Sequence, residues 1–135
     1  MAVTELRETD SAGVERHLAR NGKLSYLQIP AHDPVGLGAF YAAVFGWSVS
    51  GGGDHVSFRD ATGDLIGAFT TDLEPSDPPG FIPYVYVSDT DASVEAVVLH
   101  GGEVVEFPSE DGQLRLATIR DPDGNHVGLW QSLGV

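Results

Sequence analysis

The chain reads as an α+β protein made of two tandem β-α-β-β-β units, and three observations predict it. The first is a repeat: Phe58-Arg59-Asp60-Ala61-Thr62-Gly63-Asp64-Leu65-Ile66-Gly67-Ala68-Phe69 lines up with Ile119-Arg120-Asp121-Pro122-Asp123-Gly124-Asn125-His126-Val127-Gly128-Leu129-Trp130. The shared skeleton is Arg-Asp, two residues, Gly, two residues, an aliphatic residue, Gly, one residue and an aromatic, so one unit is used twice. The second is turn chemistry. Asp121-Pro122-Asp123-Gly124 supplies the backbone angles of a tight turn, and apolar β-type runs at 114–119 and 127–130 flank it as a hairpin. The third is order. Each half carries one strand-like run, one helical stretch and then further strand-like runs, which implies mixed sheets with helices on one face.

Residues 1–22 stand apart as an N-terminal arm, charged and without a counterpart in the second half. Ser11 is a candidate cap for a short helix that puts Val14 and Leu18 on one face and stops at Gly22. The arm is either a partly ordered extension or a segment that packs on a partner subunit.

Residues 23–133 form the domain, divided into unit one at 23–72, a linker at 73–80 and unit two at 81–133. Leu24-Ser25-Tyr26-Leu27-Gln28-Ile29-Pro30 is strand-like and closes on a proline. Asp33-Pro34 starts a helix with an acidic cap and proline at the first helical position. Leu37, Phe40, Tyr41, Val44 and Phe45 then recur at helical spacing, and Gly46 is the stop. A strand near Trp47, a flexible turn at 51–53 and strands at 55–59 and 65–70 complete the unit. Leu73-Glu74-Pro75-Ser76-Asp77-Pro78-Pro79-Gly80 has no periodicity and reads as the linker. Unit two repeats the order with a strand at 81–87 and a helix opening at 89–91 that carries Val94, Val97 and Val98. Gly101-Gly102 ends that helix, and strands at 103–107, 114–119 and 127–131 follow.

The chain has 135 residues, enough for one compact domain that buries roughly 65–70% of its unfolded surface. Its 20 acidic and 7 basic residues leave a net charge of −13, which argues against nucleic acid and against anionic membrane surfaces. It has no cysteine, hence no disulfide and no thiolate site. Charged residues near the start, where a signal peptide would be apolar, and the absence of an apolar run approaching about 20 residues favour a cytoplasmic protein.

Four stretches stand in order: Ile29-Pro30-Ala31-His32-Asp33-Pro34, Phe40-Tyr41-Ala42-Ala43-Val44-Phe45-Gly46-Trp47, Tyr84-Val85-Tyr86-Val87-Ser88-Asp89-Thr90-Asp91-Ala92, and Asp121-Pro122-Asp123-Gly124. Through them residues 23–131, about four-fifths of the chain, resemble the glyoxalase/bleomycin-resistance/extradiol-dioxygenase group, the vicinal oxygen chelate superfamily. It implies that the two units form a curled mixed sheet around a concave pocket, with the helices outside. It names no reaction, because the fold hosts lyases, isomerases, dioxygenases, thiol transferases and drug-binding proteins.

Metal-dependent members hold a divalent cation with His, Glu or Gln from the first and last strands of each unit. Carried over, those positions fall on Tyr26, on Gly67, on Ile82 or Tyr84, and on Gly128. Glycine has no side chain, Ile has no donor atom and a neutral Tyr is a poor ligand, so the resemblance implies a lost metal site and no metal cofactor. The two glycines serve either close packing or room for a ligand.

Strand alternation from Tyr26 turns Tyr26, Gln28, Phe69, Tyr84, Tyr86 and Trp130 toward the implied pocket. Such a lining suits stacking on a flat organic ligand oriented by hydroxyls and an amide, unless these aromatics simply fill the core. Of the five histidines, His17 is expected in solvent, His32 exposed beside Asp33, and His100 at a helix end. His55 and His126 alone could reach a pocket. Arg59 and Arg120 are expected to pair with Asp60 and Asp121.

Two functions follow. One is a metal-free protein that binds a small aromatic or hydrophobic molecule. The alternative is a lyase, isomerase or dioxygenase-type enzyme, working without metal or with unusual ligands such as His55 and His126. The resemblance further implies a homodimer, with the units pairing either within a chain or across the dimer.

Overall fold

The computed structural model of the chain describes residues 8–134, so residues 1–7 of the expected arm lie outside the described residues. Unit one comprises β1 (Tyr26–Pro30), α1 (Pro34–Phe45), β2 (Ser48–Gly52), β3 (His55–Arg59) and β4 (Ile66–Thr70). Unit two comprises β5 (Tyr84–Tyr86), α2 (Thr90–Leu99), β6 (Glu103–Asp111), β7 (Leu114–Arg120) and β8 (His126–Ser132). The predicted two-unit α+β architecture is present as two four-stranded mixed sheets, ordered β1-β4-β3-β2 and β5-β8-β7-β6, which do not pair with each other. In each, the first strand runs parallel to the last and the remaining pairs are antiparallel. No helix among the described residues is long and apolar enough to cross a membrane.

The helices start and stop where the sequence says they should. Asp33 and Asp89 accept from the backbone N–H of Gly36 and Ala92, satisfying amide groups that a helix N-terminus leaves free. Gly46 ends α1 in the left-handed region at φ 74°. Three expectations are corrected. The strand of unit two begins at Tyr84 rather than at 81, because Pro83 has no N–H to give a ladder. The arm holds no helix over 11–18. Asp10 instead accepts from Ala12 and Val14, and a bridge joins Thr9 to Glu15. The described part of the arm lies on its own chain: Leu18 is buried, and His17 is not solvated but donates to the Gly63 carbonyl at 2.9 Å.

Alternation gives each sheet a covered face and an open face. Ile29, Val56, Phe58 and Phe69 of the first sheet and Ala117, Ile119, Val127 and Leu129 of the second belong to one core, shared with Leu37, Phe40 and Tyr41 of α1 and Val94 and Val97 of α2. The helices therefore lie opposite the open faces.

The units are tied by a buried polar knot in the Asp121–Asn125 turn. The Tyr41 hydroxyl donates to Asp121 Oδ2 at 2.8 Å, and Asn125 Nδ2 bridges Asp121 Oδ2 and the Pro30 carbonyl at 2.9 and 2.8 Å. The amides of Asp123 and Asn125 fill Asp121 Oδ1, while Asp123 accepts from the amides of His32 and Asp33. Asp121 therefore does not pair with Arg120, which instead reaches Glu103 at 2.9 Å and Asp77 at 3.4 Å. Arg59 likewise pairs with Glu15 at 2.5 Å instead of Asp60.

Burial raises the Asp121 carboxyl above its ordinary value, and its hydrogen bonds from Asn125, Tyr41 and Asp123 oppose that rise. The buried Tyr41 hydroxyl is pushed well above its ordinary value by desolvation and then by Asp121, so it stays a donor. A raised carboxyl favours the fold while protonated, below its unfolded pKa, and that contribution is lost as pH rises through the native value. The Tyr41 bond counters this loss. Tyr41→Phe should cost about 1.5–3 kcal/mol in urea unfolding at neutral pH, as expected for a hydrogen bond to a charged group. The cost should shrink in acid as pH falls through the native Asp121 value, which lies above the ordinary carboxylate value.

Candidate functional site

The turn between β3 and β4 decides which side chains reach the open face of the first sheet. Arg59 pairs with Ile66, whereas its repeat partner Arg120 pairs with His126, although the repeat aligns His126 with Leu65. The turn closes from the Asp60 amide to Leu65 in one unit and from the Asp121 amide to Asn125 in the other. One extra residue in the first turn reverses the alternation of β4. Phe69 is therefore corrected from a pocket residue to a core residue, fully buried at ring centroid distances of 5.0 Å from Phe58 and 5.5 Å from Tyr41. The other five predicted residues keep their orientation, but divide between two sheets.

The open face of the first sheet carries Tyr26 and Gln28 with Ser48, Ser50, Ser57 and Arg59. A shallow cavity of about 310 Å³ lies over Tyr26, the three serines and Arg59. The open face of the second sheet is aromatic. Tyr86 meets Trp130 edge-on at 4.6 Å, and Tyr84 pairs with Gly128, over which its ring lies. Thr118 sits beside Gly128, and its hydroxyl donates to Glu106 at 3.0 Å. Sequence reasoning missed Glu106, because a register shift in β6 on either side of it sets which face it takes. Tyr26, Tyr84 and Tyr86 are 51, 54 and 45% exposed, so these rings are not core filling.

The registers also show which residues stand at equivalent places in the two units. Tyr84 is opposite Gly128 in β8, and Gln28 is opposite Ala68 in β4. Equivalent places in the two units are therefore Gln28 with Ala68 and Tyr84 with Gly128. Of these four only Gln28 is a ligand type of the metal-dependent members; Ala and Gly offer no donor, and the Tyr84 ring occupies the space beside Gly128, so the four together do not fit a divalent cation. His55 lies on the first sheet and His126 on the second. Among the described residues no three His, Asp or Glu side chains gather in a metal-holding group.

Both strand glycines accommodate neighbours. A Cβ at Gly67 would strike the Leu27 carbonyl and the Phe58 ring, and a Cβ at Gly128 would strike the Tyr84 ring. Gly128→Ala should destabilise the fold by about 1–3 kcal/mol through overpacking. In a double-mutant cycle most of that cost should vanish when Tyr84 is also Ala, since the ring is the obstacle.

Residues 26–130 match the glyoxalase-like domain family. The CFP32 proteins of Mycobacterium bovis and Mycobacterium tuberculosis, which bear a provisional glyoxylase name, are 33% identical over 123 residues, covering 84% of this chain and 47% of theirs. The chain thus spans about half the length of the curated relatives it matches. A glyoxalase/bleomycin resistance protein/dioxygenase family enzyme from Burkholderia phytofirmans PsJN superposes with a TM-score of 0.70 at 21% identity, over 83% of this chain and all of that one. TnmS3, an antibiotic binding protein from Streptomyces sp. CB03234, superposes with a TM-score of 0.63 at 23% identity, over 82% of this chain and 96% of its own. With the family matched across both units, the chain belongs to the glyoxalase-like domain family of the vicinal oxygen chelate superfamily.

Proposed function

We propose that this protein binds a small, flat aromatic or hydrophobic molecule on its open sheet faces, without a metal. The observation that carries this reading is the donor set at the equivalent places of the two units, where Ala68 and Gly128 have nothing to offer a cation and Tyr84 covers one of them. What stands there instead is chemistry for stacking. Tyr84, Tyr86 and Trp130 form an aromatic platform, and Tyr26, Gln28 and Ser57 form a face of hydroxyls and an amide. Binding of an antibiotic by TnmS3, which has the same fold, supports the ligand class.

Exposed aromatic surface of this kind marks a face that something covers. The two sheets of one chain do not close on each other, so the proposal includes a homodimer in which a second copy helps enclose the ligand. A second reading, an enzyme acting without metal, is favoured by one observation. The Glu106 carboxylate stands beside Thr118 at the edge of the aromatic platform, where it could take a proton from a stacked substrate.

Trp130 provides the test, by fluorescence titration with polycyclic aromatic compounds such as anthraquinones. Saturable quenching is expected. Trp130→Ala and Tyr84→Ala, whose binding is read by isothermal titration because the first removes the fluorescent reporter, should each weaken binding by about tenfold, as expected where an aromatic stacking partner worth about 0.5–1.5 kcal/mol and its buried area are lost together. The variants' melting temperatures should stay near that of the parent. Ligands that bind equally well to both variants would overturn the assignment of the site. Turnover abolished by Glu106→Gln with binding retained would favour the second reading.

A further inference from the structure

The two units are related by the repeat, so the seam between them has two ends, and the ends differ. At one end the Asp121 turn of unit two meets α1, and Tyr41 and Asn125 close it on Asp121 Oδ2. At the other end the Asp60 turn of unit one faces the start of unit two. Counting from the helix caps Asp33 and Asp89, the position of Tyr41 is held by Val97, which has no hydroxyl. The position of Asn125 is held by Asp64, whose carboxylate has no amide N–H to give. Asp60 fills Oδ1 with Thr62 Oγ1, the Asp64 amide and the Leu65 amide at 3.0, 3.1 and 3.3 Å. At its Oδ2 no hydrogen bond is made among the described residues.

Both ends of the seam border cavities. One of about 340 Å³ lies beside Tyr41, Asn125 and Pro30, and one of about 460 Å³ lies between the units beside the Asp60 turn. Tyr41, Phe45 and Trp47 supply an aromatic wall, with Asp60, Ser88 and Ser93 among its polar groups. Its size is within the range of small-molecule sites, and it is mainly apolar with few polar groups, as such sites are.

We infer that this inter-unit cavity, which borders the aromatic platform at Tyr84 and Tyr86, is a second ligand site that takes an aromatic body bearing a protonated amine with the amine on Asp60. A carboxylate oxygen without a donor is matched by an N⁺–H group, and charge-assisted bonds of this kind are roughly twice as strong as neutral ones. Rings on the wall add attraction for the cation. The net charge of −13 disfavours an anionic ligand at the same place.

Three probes with one ring system test this on the full chain by isothermal titration: 1-naphthylmethylamine, 1-naphthylmethanol and 1-naphthoate. The amine should bind at least about tenfold more tightly than the naphthoate, the margin expected of a charge-assisted bond. Asp60→Asn keeps an oxygen for the turn amides and replaces Oδ2 by an NH₂ group. It should remove most of the amine's advantage and leave the alcohol within about twofold, because the apolar contacts are unchanged. Val44→Phe, which fills the cavity from α1, should weaken all three probes, and Ser93→Phe serves as an independent block from α2. Thermal melting establishes that each variant is folded. Amine binding that is absent, or that survives both Asp60→Asn and the filling variants unchanged, would overturn the proposal.

Discussion

A buried carboxylate holds the two halves of this molecule together. Asp121 is 3% exposed and carries a charge that burial opposes, so it is tolerable only with its acceptor sites filled. The filling comes from both units: backbone amides of its own turn, the Asn125 side chain, and Tyr41 from the helix of the other half. Asn125 extends the knot to the Pro30 carbonyl at the end of β1, and Asp123 extends it to the amides that open α1. The turn that sequence reading singles out as a hairpin is thus also the joint between units. Its side chains fix the strand-to-helix corner of unit one from across the molecule.

The same repeat that makes the fold legible hides part of the site. Turn chemistry, helix caps and the doubled Arg-Asp-x-x-Gly skeleton were sufficient for the two repeated units and both helices. These are local signals, each set by a few residues. The orientation of β4 is not local in that sense. Two turns with matching residues close differently, one from Asp60 to Leu65 and the other from Asp121 to Asn125. That single residue moves Phe69 into the core and brings Ala68 to the open face. A one-residue slip exchanges the faces of a strand, so parity carried across a repeat is only as good as the turn that precedes it. The residues of unit two, where the register runs as read, kept their places. Glu106 and the partners of Arg59 and Arg120 were invisible for a related reason: they depend on register shifts and on long-range contacts that no spacing in the chain encodes.

The symmetry of the repeat is therefore a frame on which the halves have diverged. One open face is hydroxylated and the other aromatic. One end of the seam is tied by Tyr41 and Asn125 on Asp121, and the other has Val97 and Asp64 in their places. In both comparisons the scaffold of strands and caps is kept while the side chains that face ligands differ. An aromatic face on one sheet and hydroxyls on the other suit binding in which affinity comes from area and orientation.

The account turns on the inherited metal positions, and metal binding tests it most directly. Protein purified without an affinity tag or chelator would be analysed for bound metal and then titrated with Mn²⁺, Fe²⁺, Co²⁺, Ni²⁺ and Zn²⁺ while its melting temperature is followed. An ion that binds the native state raises that temperature by mass action. The account predicts metal far below one ion per chain and no stabilisation at micromolar concentrations. One ion per chain, or a micromolar stabilisation that Gln28→Ala or Glu106→Ala removes, would contradict it and place a metal back at the centre of the site.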